Sequence, residues 1–162
     1  MVVVDSSVFI PLLRIGKLSL LQKFFKNVTI TQEVSEEITQ GKIGFYEFEK
    51  ACTSWIVVDR SKRKEEKKES FEHAIIGKAD ASLILLAKSK KDILLSNDAA
   101  LILAARSEGV ECWWLTTFIL RCLKKRVLTK NEAKDMLLEL IEAGMRLENN
   151  VYAAMLKEIE SR

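Results

Sequence analysis

Asp5 closes the opening segment Met1-Val2-Val3-Val4-Asp5-Ser6-Ser7, and Asp98 closes Ile93-Leu94-Leu95-Ser96-Asn97-Asp98. Each acid follows a short apolar run of strand length and precedes a helix-like segment. In open α/β sheets that strand-end edge is where ligands bind, so two strands deliver carboxylates to one crevice. Glu37 and Asp80 fall at the starts or faces of intervening helical segments that would overhang the same edge. With one histidine in the chain and no cysteine cluster, this quartet suits a hard, oxygen-preferring cation such as Mg²⁺ or Mn²⁺. A clamped divalent ion neutralises a phosphodiester, generates a nucleophile from water and stabilises the leaving oxygen, which makes metal-dependent nucleic-acid hydrolysis the chemistry indicated. A Ser-His-Asp or Cys-His arrangement cannot be built, because His73 lies beside a charged stretch with no paired nucleophile and reads as a surface residue.

Each acid also has a purely structural explanation. Asp5 and Asp98 stand where helix N-caps are expected, and an aspartate there satisfies orphan backbone N–H groups. Asp80, in a first turn, could serve the helix dipole, and Glu37 could be one of three glutamates on a solvated face. Asp80 is nevertheless the only charge from Ala79 through Ala87, on a helix otherwise read as buried, where an unpaired acid is costly. A bound cation is the simplest compensation.

The elements that must hold these acids alternate. Val2–Val4, Val28–Ile30, Trp55–Val58, Ile93–Leu95 and Val110–Leu115 read as strands; the segments Leu18–Phe25, Gln32–Gln40, Phe45–Ala51, Ala79–Ala87 and Ala99–Ser107 read as helices. Ser6 and Ser7 are placed to cap the first helix, with Pro11 and Gly16 punctuating the stretch before Leu18. Such alternation predicts a parallel α/β sheet with right-handed crossovers. Beyond it the chain turns helical: Thr129 and Glu132 form a capping-box pattern, Gly144 ends that helix, and Val151, Met155 and Ile159 form a stripe on a last one. A length of 162 residues with 48% hydrophobic content fits one domain with a substantial core, a core spanning about 1–120 and a helical extension about 121–162. Three widely spaced cysteines, Cys52, Cys112 and Cys122, fit neither a disulfide framework nor a zinc site and read as reduced core thiols of a cytoplasmic protein. Nothing at the N-terminus resembles a signal peptide, and no apolar run approaches the roughly 20 residues that span a bilayer, so no membrane partner is expected.

Taken in order, Val-Val-Asp-Ser-Ser at the start, Val34-Ser35-Glu36-Glu37-Ile38 leading to Gly41, Asp80-Ala81-Ser82-Leu83-Ile84 leading to Ala87, and Ser96-Asn97-Asp98 resemble a PIN domain over roughly residues 1–120. The tail with Leu140-Ile141-Glu142-Ala143-Gly144-Met145-Arg146 is similar to extensions on prokaryotic, often archaeal, PIN proteins. The resemblance implies a three-layer α/β/α fold with a central parallel sheet. It further implies a Mg²⁺- or Mn²⁺-dependent endoribonuclease of the VapC toxin type, with an RNA substrate, an antitoxin partner and a homodimeric state. Position by position, Asp5, Glu37, Asp80 and Asp98 match the acidic, metal-binding site, with Ser6, Ser96 and Asn97 supporting it. One departure stands out: many PIN domains carry a further acid two residues after the position of Asp98, where this chain has Ala100. On a helix Glu33 shares a face with Glu37 and is placed to assist or substitute.

The weaker signals are a basic run and some aromatic pairs. Arg60, Lys62, Arg63, Lys64, Lys67 and Lys68 could track a phosphate backbone, although interspersed glutamates make a solvated face the favoured reading. Trp113 and Trp114 invite base stacking but sit where core is commoner, and Phe24 and Phe25, with the stripe of the last helix, suggest oligomer or partner contacts although core packing is the favoured reading. An RNA-processing nuclease outside toxin–antitoxin systems stays open as an alternative role, and two other classes remain: a PIN-like RNA-binding or scaffold protein with an impaired site, motivated by Ala100, and a receiver-type signalling domain. The latter is disfavoured because Ser6 and Ser7 stand where adjacent acids would be needed.

Overall fold

The computed structural model describes residues 1–61 and 76–162. Its centre is a sheet of five parallel strands, β1 (Val2–Val4), β2 (Val28–Thr31), β3 (Ile56–Asp59), β4 (Ile93–Leu95) and β5 (Cys112–Trp113), in the order β3-β2-β1-β4-β5. Helices α1 (Ser6–Arg14) and α2 (Ser19–Phe25) lead from β1 to β2, and α3 (Gln32–Gly41) and α4 (Phe45–Cys52) from β2 to β3. Then α5 (Lys78–Lys90) precedes β4, α6 (Ala99–Ser107) precedes β5, and α7 (Leu115–Lys124), α8 (Lys130–Glu142) and α9 (Asn149–Ser161) follow it. The result is the parallel sheet expected from alternation, in the three-layer α/β/α arrangement that the resemblance implies.

The order of strands fixes where a site can form. The chain builds outward from β1 through β2 to β3, then returns to the other side of β1 to lay down β4 and β5. Val2 consequently pairs with both Val28 and Ile93, and the gap between β1 and β4 is the topological switch point at whose carboxyl end ligands bind in such sheets. Val2, Val3 and Val4 are fully buried, which is why the strand is a continuous β-branched run rather than an alternating one. Helix α5 packs across β1, β2 and β4 through the buried Leu83, Ile84, Leu86 and Ala87. Its first turn escapes that burial: Lys78 and Ala79 are exposed and Asp80 is half-buried, so the helix is not the wholly enclosed one that its composition suggests.

Several local details depart from the sequence reading. The cap of α1 is Asp5, not Ser6 or Ser7, which are the first two helical residues. Helix α1 runs through Pro11 rather than stopping there, giving up only the bond that its missing N–H would have made to Ser7. Strand β5 is two residues long, shorter than Val110–Leu115, because Trp114 already caps α7. Between α3 and α4 the backbone closes onto α1 at Gly44, whose φ is +63° and where a Cβ would lie 2.8 Å from Leu13 Cδ2, so only glycine fits that approach. In the tail the Thr129–Glu132 capping box forms, and Gly144, at φ +98°, follows α8 as a helix-ending glycine. Met155 and Ile159 enter the core while Val151 remains exposed, so the last stripe is two residues deep, not three. Cys112 and Cys122 are buried free thiols and Cys52 is a half-buried one; burial pushes the Cys122 thiol up to about 12. No helix among the described residues is long and apolar enough to cross a membrane.

Candidate active site

The switch point brings Asp5 and Asp98 to neighbouring strand ends. The Asp5 N–H donates to Leu95 O at 3.0 Å, continuing the β1–β4 ladder by one residue, and Asp98 stands three residues beyond that carbonyl. Both acids are helix caps: Asp5 Oδ2 accepts from the Ser7 N–H at 3.3 Å, and Asp98 Oδ1 from the Leu101 N–H at 2.9 Å. The structural explanation of each is therefore correct as far as it goes. A carboxylate has a second oxygen, and the cap uses one.

Two hydroxyls hold Asp5 in place. Its Oδ2 accepts from Ser7 Oγ at 2.5 Å and from Ser96 Oγ at 3.1 Å, and the two hydroxyls are 3.3 Å apart. Each hydroxyl oxygen in turn accepts a backbone N–H from the loop after β4: Asn97 to Ser7 at 2.8 Å and Asp98 to Ser96 at 3.0 Å. Ser96 is wholly buried, Ser7 partly so. With Oδ2 saturated, Asp5 Oδ1 keeps, among the described residues, only a long contact from Ser6 Oγ, at 3.4 Å. Ser7 rather than Ser6 thus carries the support, a residue that sequence reasoning missed. The available signal was its position two residues after a capping aspartate, which aims both its N–H and its hydroxyl at the carboxylate.

Asp80 and Glu37 complete the ring. Asp80 occupies the third position of α5 and is hydrogen-bonded by the backbone of the cap residue Gly77. Its carboxyl is pushed above the ordinary aspartate value first by burial and then by the charge of Asp5; the Gly77 bond opposes this, and the charges of Asp98 and Glu37 add to it. All four acids therefore share one field. Glu37 is exposed on α3, Glu36 is turned to Gln32 Nε2 at 2.9 Å, and Glu33 Oε1 accepts from Ser82 Oγ of α5 at 3.4 Å, so Glu33 borders the same face. The N-termini of α1, α3, α5 and α6 all lie at this edge of the sheet, and their partial positive charges are what make the like-charged cluster tolerable.

The donor set fits a divalent cation by chemistry: oxygen ligands only, mutual repulsion that raises Asp80, and no lysine or arginine paired with any of the four acids among the described residues. The side chains surround the crevice without closing on a point, and no three acids, histidines or cysteines among the described residues stand at ligating distance from one centre. Magnesium, which dehydrates reluctantly and is commonly held by one or two carboxylates plus waters, suits that open arrangement.

The remaining sequence candidates sort simply. Arg60 is exposed just past β3, while Lys62, Arg63, Lys64, Lys67, Lys68 and His73 lie outside the described residues. Trp113 is buried against Phe24 and Phe25, which also meet Phe118, so these aromatics are packing residues. Trp114 is half-buried where β5 gives way to α7.

The family described as DUF3368, a PIN domain, matches residues 1–161. Among solved structures, the chain is similar to a PilT N-terminus domain protein, SSO1118, from the hyperthermophilic archaeon Sulfolobus solfataricus P2. That likeness has a TM-score of 0.54 at 16% identity and covers 91% of this chain and 98% of the other. It is also similar to a domain of a functionally unknown protein from Methanocaldococcus jannaschii, at 25% identity and a TM-score of 0.45, over 70% of this chain and 89% of that one. No curated protein matches.

Proposed function

Since this chain belongs to the PIN-domain family, a nuclease fold, we propose that it is a Mg²⁺- or Mn²⁺-dependent endoribonuclease acting through Asp5, Asp80, Asp98 and Glu37. The observation that carries the proposal is the shared field of four carboxylates around the β1–β4 switch point, with no cationic side chain to neutralise it among the described residues. A cation held there supplies charge neutralisation for the phosphodiester and a nucleophile from water at neutral pH.

The protein's own part is positional. Ser7 and Ser96 saturate Asp5 Oδ2 and leave Oδ1 as its outward donor. The Leu101 N–H holds Asp98 Oδ1, and no described residue bonds its other oxygen. Asp80 and Glu37 overhang from α5 and α3, and the helix N-termini favour an anionic substrate over the same edge. A chain with one histidine has no histidine pair to support cyclic-phosphate chemistry, so the expected products carry 5′-phosphate and 3′-hydroxyl ends.

By the same proposal the chain is the toxin of a VapC-type pair, cytoplasmic, homodimeric and silenced by an antitoxin; a small protein with a DNA-binding head in the adjacent reading frame would support that role. Incubation of the purified chain with single-stranded RNA should give cleavage that Mg²⁺ or Mn²⁺ restores after chelation. Activity that survives excess chelator, or 2′,3′-cyclic ends, would overturn the mechanism. A second proposal, an RNA-binding protein with an impaired site, is favoured by Ala100 and by the open spacing of the acids. Metal-binding and RNA-binding without turnover would select it.

A further inference from the structure

We infer that the face formed by α2 and α7 is an RNA-backbone track, separate from the carboxylate crevice and made from two segments nearly a hundred residues apart. Residues 14–32 and 112–131 contain nine lysines and arginines and not one acid. A chain of net charge +3 is thus strongly positive here and negative elsewhere. The structure joins the two segments through an aromatic cluster. Phe24 and Phe25 of α2 meet Trp113 of β5 and Phe118 of α7, with Phe25 and Phe118 stacked at 5.6 Å.

Cations lie over that cluster. Arg121 sits 4.5 Å above the Trp113 ring and Lys125 4.1 Å above the Phe24 ring, so residues of α7 reach across to α2, where Lys23 and Lys26 flank the phenylalanines. Lys17 and Lys23 also extend their field to Glu132 at the start of α8, where they help hold its carboxyl below the usual range after the Thr129 bonds. Glu132 itself is committed to the Thr129 capping box. Lys124 and Arg126 extend the patch; all seven cations are exposed, and none forms an ion pair with a described acid.

A polyanion is the ligand that such a face fits, and single-stranded RNA is favoured over a lipid surface. None of the large exposed apolar side chains among the described residues, such as Tyr46, Leu103 or Leu138, belongs to this patch, so a bilayer finds no described apolar group there to bury. It also connects to the crevice. Helix α7 starts directly after β5, whose Trp113 O accepts the Ser96 N–H, and at 1.5 Å per residue Arg121 and Lys125 lie about 9 and 15 Å along the helix from that edge. A strand cut at the carboxylates would rest a flank on these cations. The inference rests on the ribonuclease proposal for the choice of RNA, but its test does not need cleavage.

Binding of a fluorescein-labelled dodecauridylate, followed by anisotropy in chelator over a range of salt, reads the face directly. The triple variant Lys23→Glu/Lys124→Glu/Arg126→Glu should bind more than tenfold more weakly at 0.1 M salt. The slope of log affinity against log salt should fall by about 2, since each single-strand phosphate contact contributes about 0.7. Lys90→Glu/Lys91→Glu, at the far end of α5, should leave both unchanged. If the triple reversal loses its folded circular-dichroism spectrum, Lys23→Gln/Lys124→Gln/Arg126→Gln is read in its place, with the same slope change expected. Affinity and slope within twofold of the parent overturn the track, as does salt-sensitive binding to phosphatidylserine vesicles by a chain that does not bind the oligonucleotide. RNA binding that is lost in the variant of a chain that never cleaves keeps the track and removes the ribonuclease; cleavage with unchanged binding in the variant does the reverse.

Discussion

The carboxylate crevice and the basic face of α2 and α7 are both regions of like charge, and the fold accommodates them by opposite means. At the crevice the charges are partly removed from water and held by hydrogen bonds: Asp5 by two hydroxyls, Asp98 and Asp80 by backbone N–H groups. Burial and the repulsion that remains together raise the Asp80 carboxyl. On the basic face the charged heads stay in water while Arg121 and Lys125 lie over aromatic rings, so repulsion is screened and little is stored. Neutralising a charge should therefore change metal response and the pH dependence of stability in the first region, and polyanion binding but neither of these in the second.

The largest effect expected is at the two capping aspartates. Asn is itself a good cap, so Asp5→Asn and Asp98→Asn keep the hydrogen bond and lose the charge. Each should lower ribonuclease activity by about 10²–10³-fold, raise the melting temperature in chelator, and shrink the rise on adding Mn²⁺. Asp98→Ala separates the two roles, since loss of a cap alone costs about 1 kcal/mol with or without metal. Melting curves that keep their full metal-induced shift in both Asn variants would remove the case for this site.

Next in size is Ser7. Residues that orient a metal ligand typically matter by about 10–100-fold in affinity or activity. Ser7→Ala should raise the Mn²⁺ concentration for half-maximal melting-temperature shift within that range, Ser7→Thr should restore most of it, and Ser6→Ala should do little. Equal effects at Ser6 and Ser7 would mean that the Oδ2 network does not orient Asp5.

Legibility from sequence divides along the same line as the chemistry. Asp5, Asp98 and their strands could be read because a buried parallel strand is a short apolar run and an acid stands at or just past its end; local order suffices. The parallel sheet followed from alternation for the same reason. Ser7 was missed because the choice between adjacent serines depends on where the helix begins, and that is fixed by Asp5 taking the cap. The basic face was missed altogether, because α2 and α7 are sparse in charge taken singly and become a patch only when Phe24, Phe25, Trp113 and Phe118 pack. Sequence proximity pointed instead to the dense run starting at Arg60, whose acids offset it.

The smallest effect expected is the most specific to the crevice. Burial and the neighbouring acids raise the Asp80 carboxyl above its ordinary value, so the folded state binds that proton more tightly than the unfolded chain does. Below the ordinary aspartate value the group is neutral in both states and costs nothing; as pH rises through the raised value the folded protein must accept a charge that it disfavours, and stability falls. Asp80→Asn should therefore melt higher than the parent at pH 7 in chelator, with an advantage that disappears as pH falls below about 4. Saturating Mg²⁺ should cancel the advantage at pH 7, because the cation favours the charged form that asparagine cannot supply. Lys125, over the Phe24 ring, provides the contrast: Lys125→Gln should give a melting difference that is flat from pH 4 to 7 and indifferent to Mg²⁺. A pH-independent difference for Asp80→Asn would place Asp80 with the solvated charges and leave the crevice with three interacting acids instead of four.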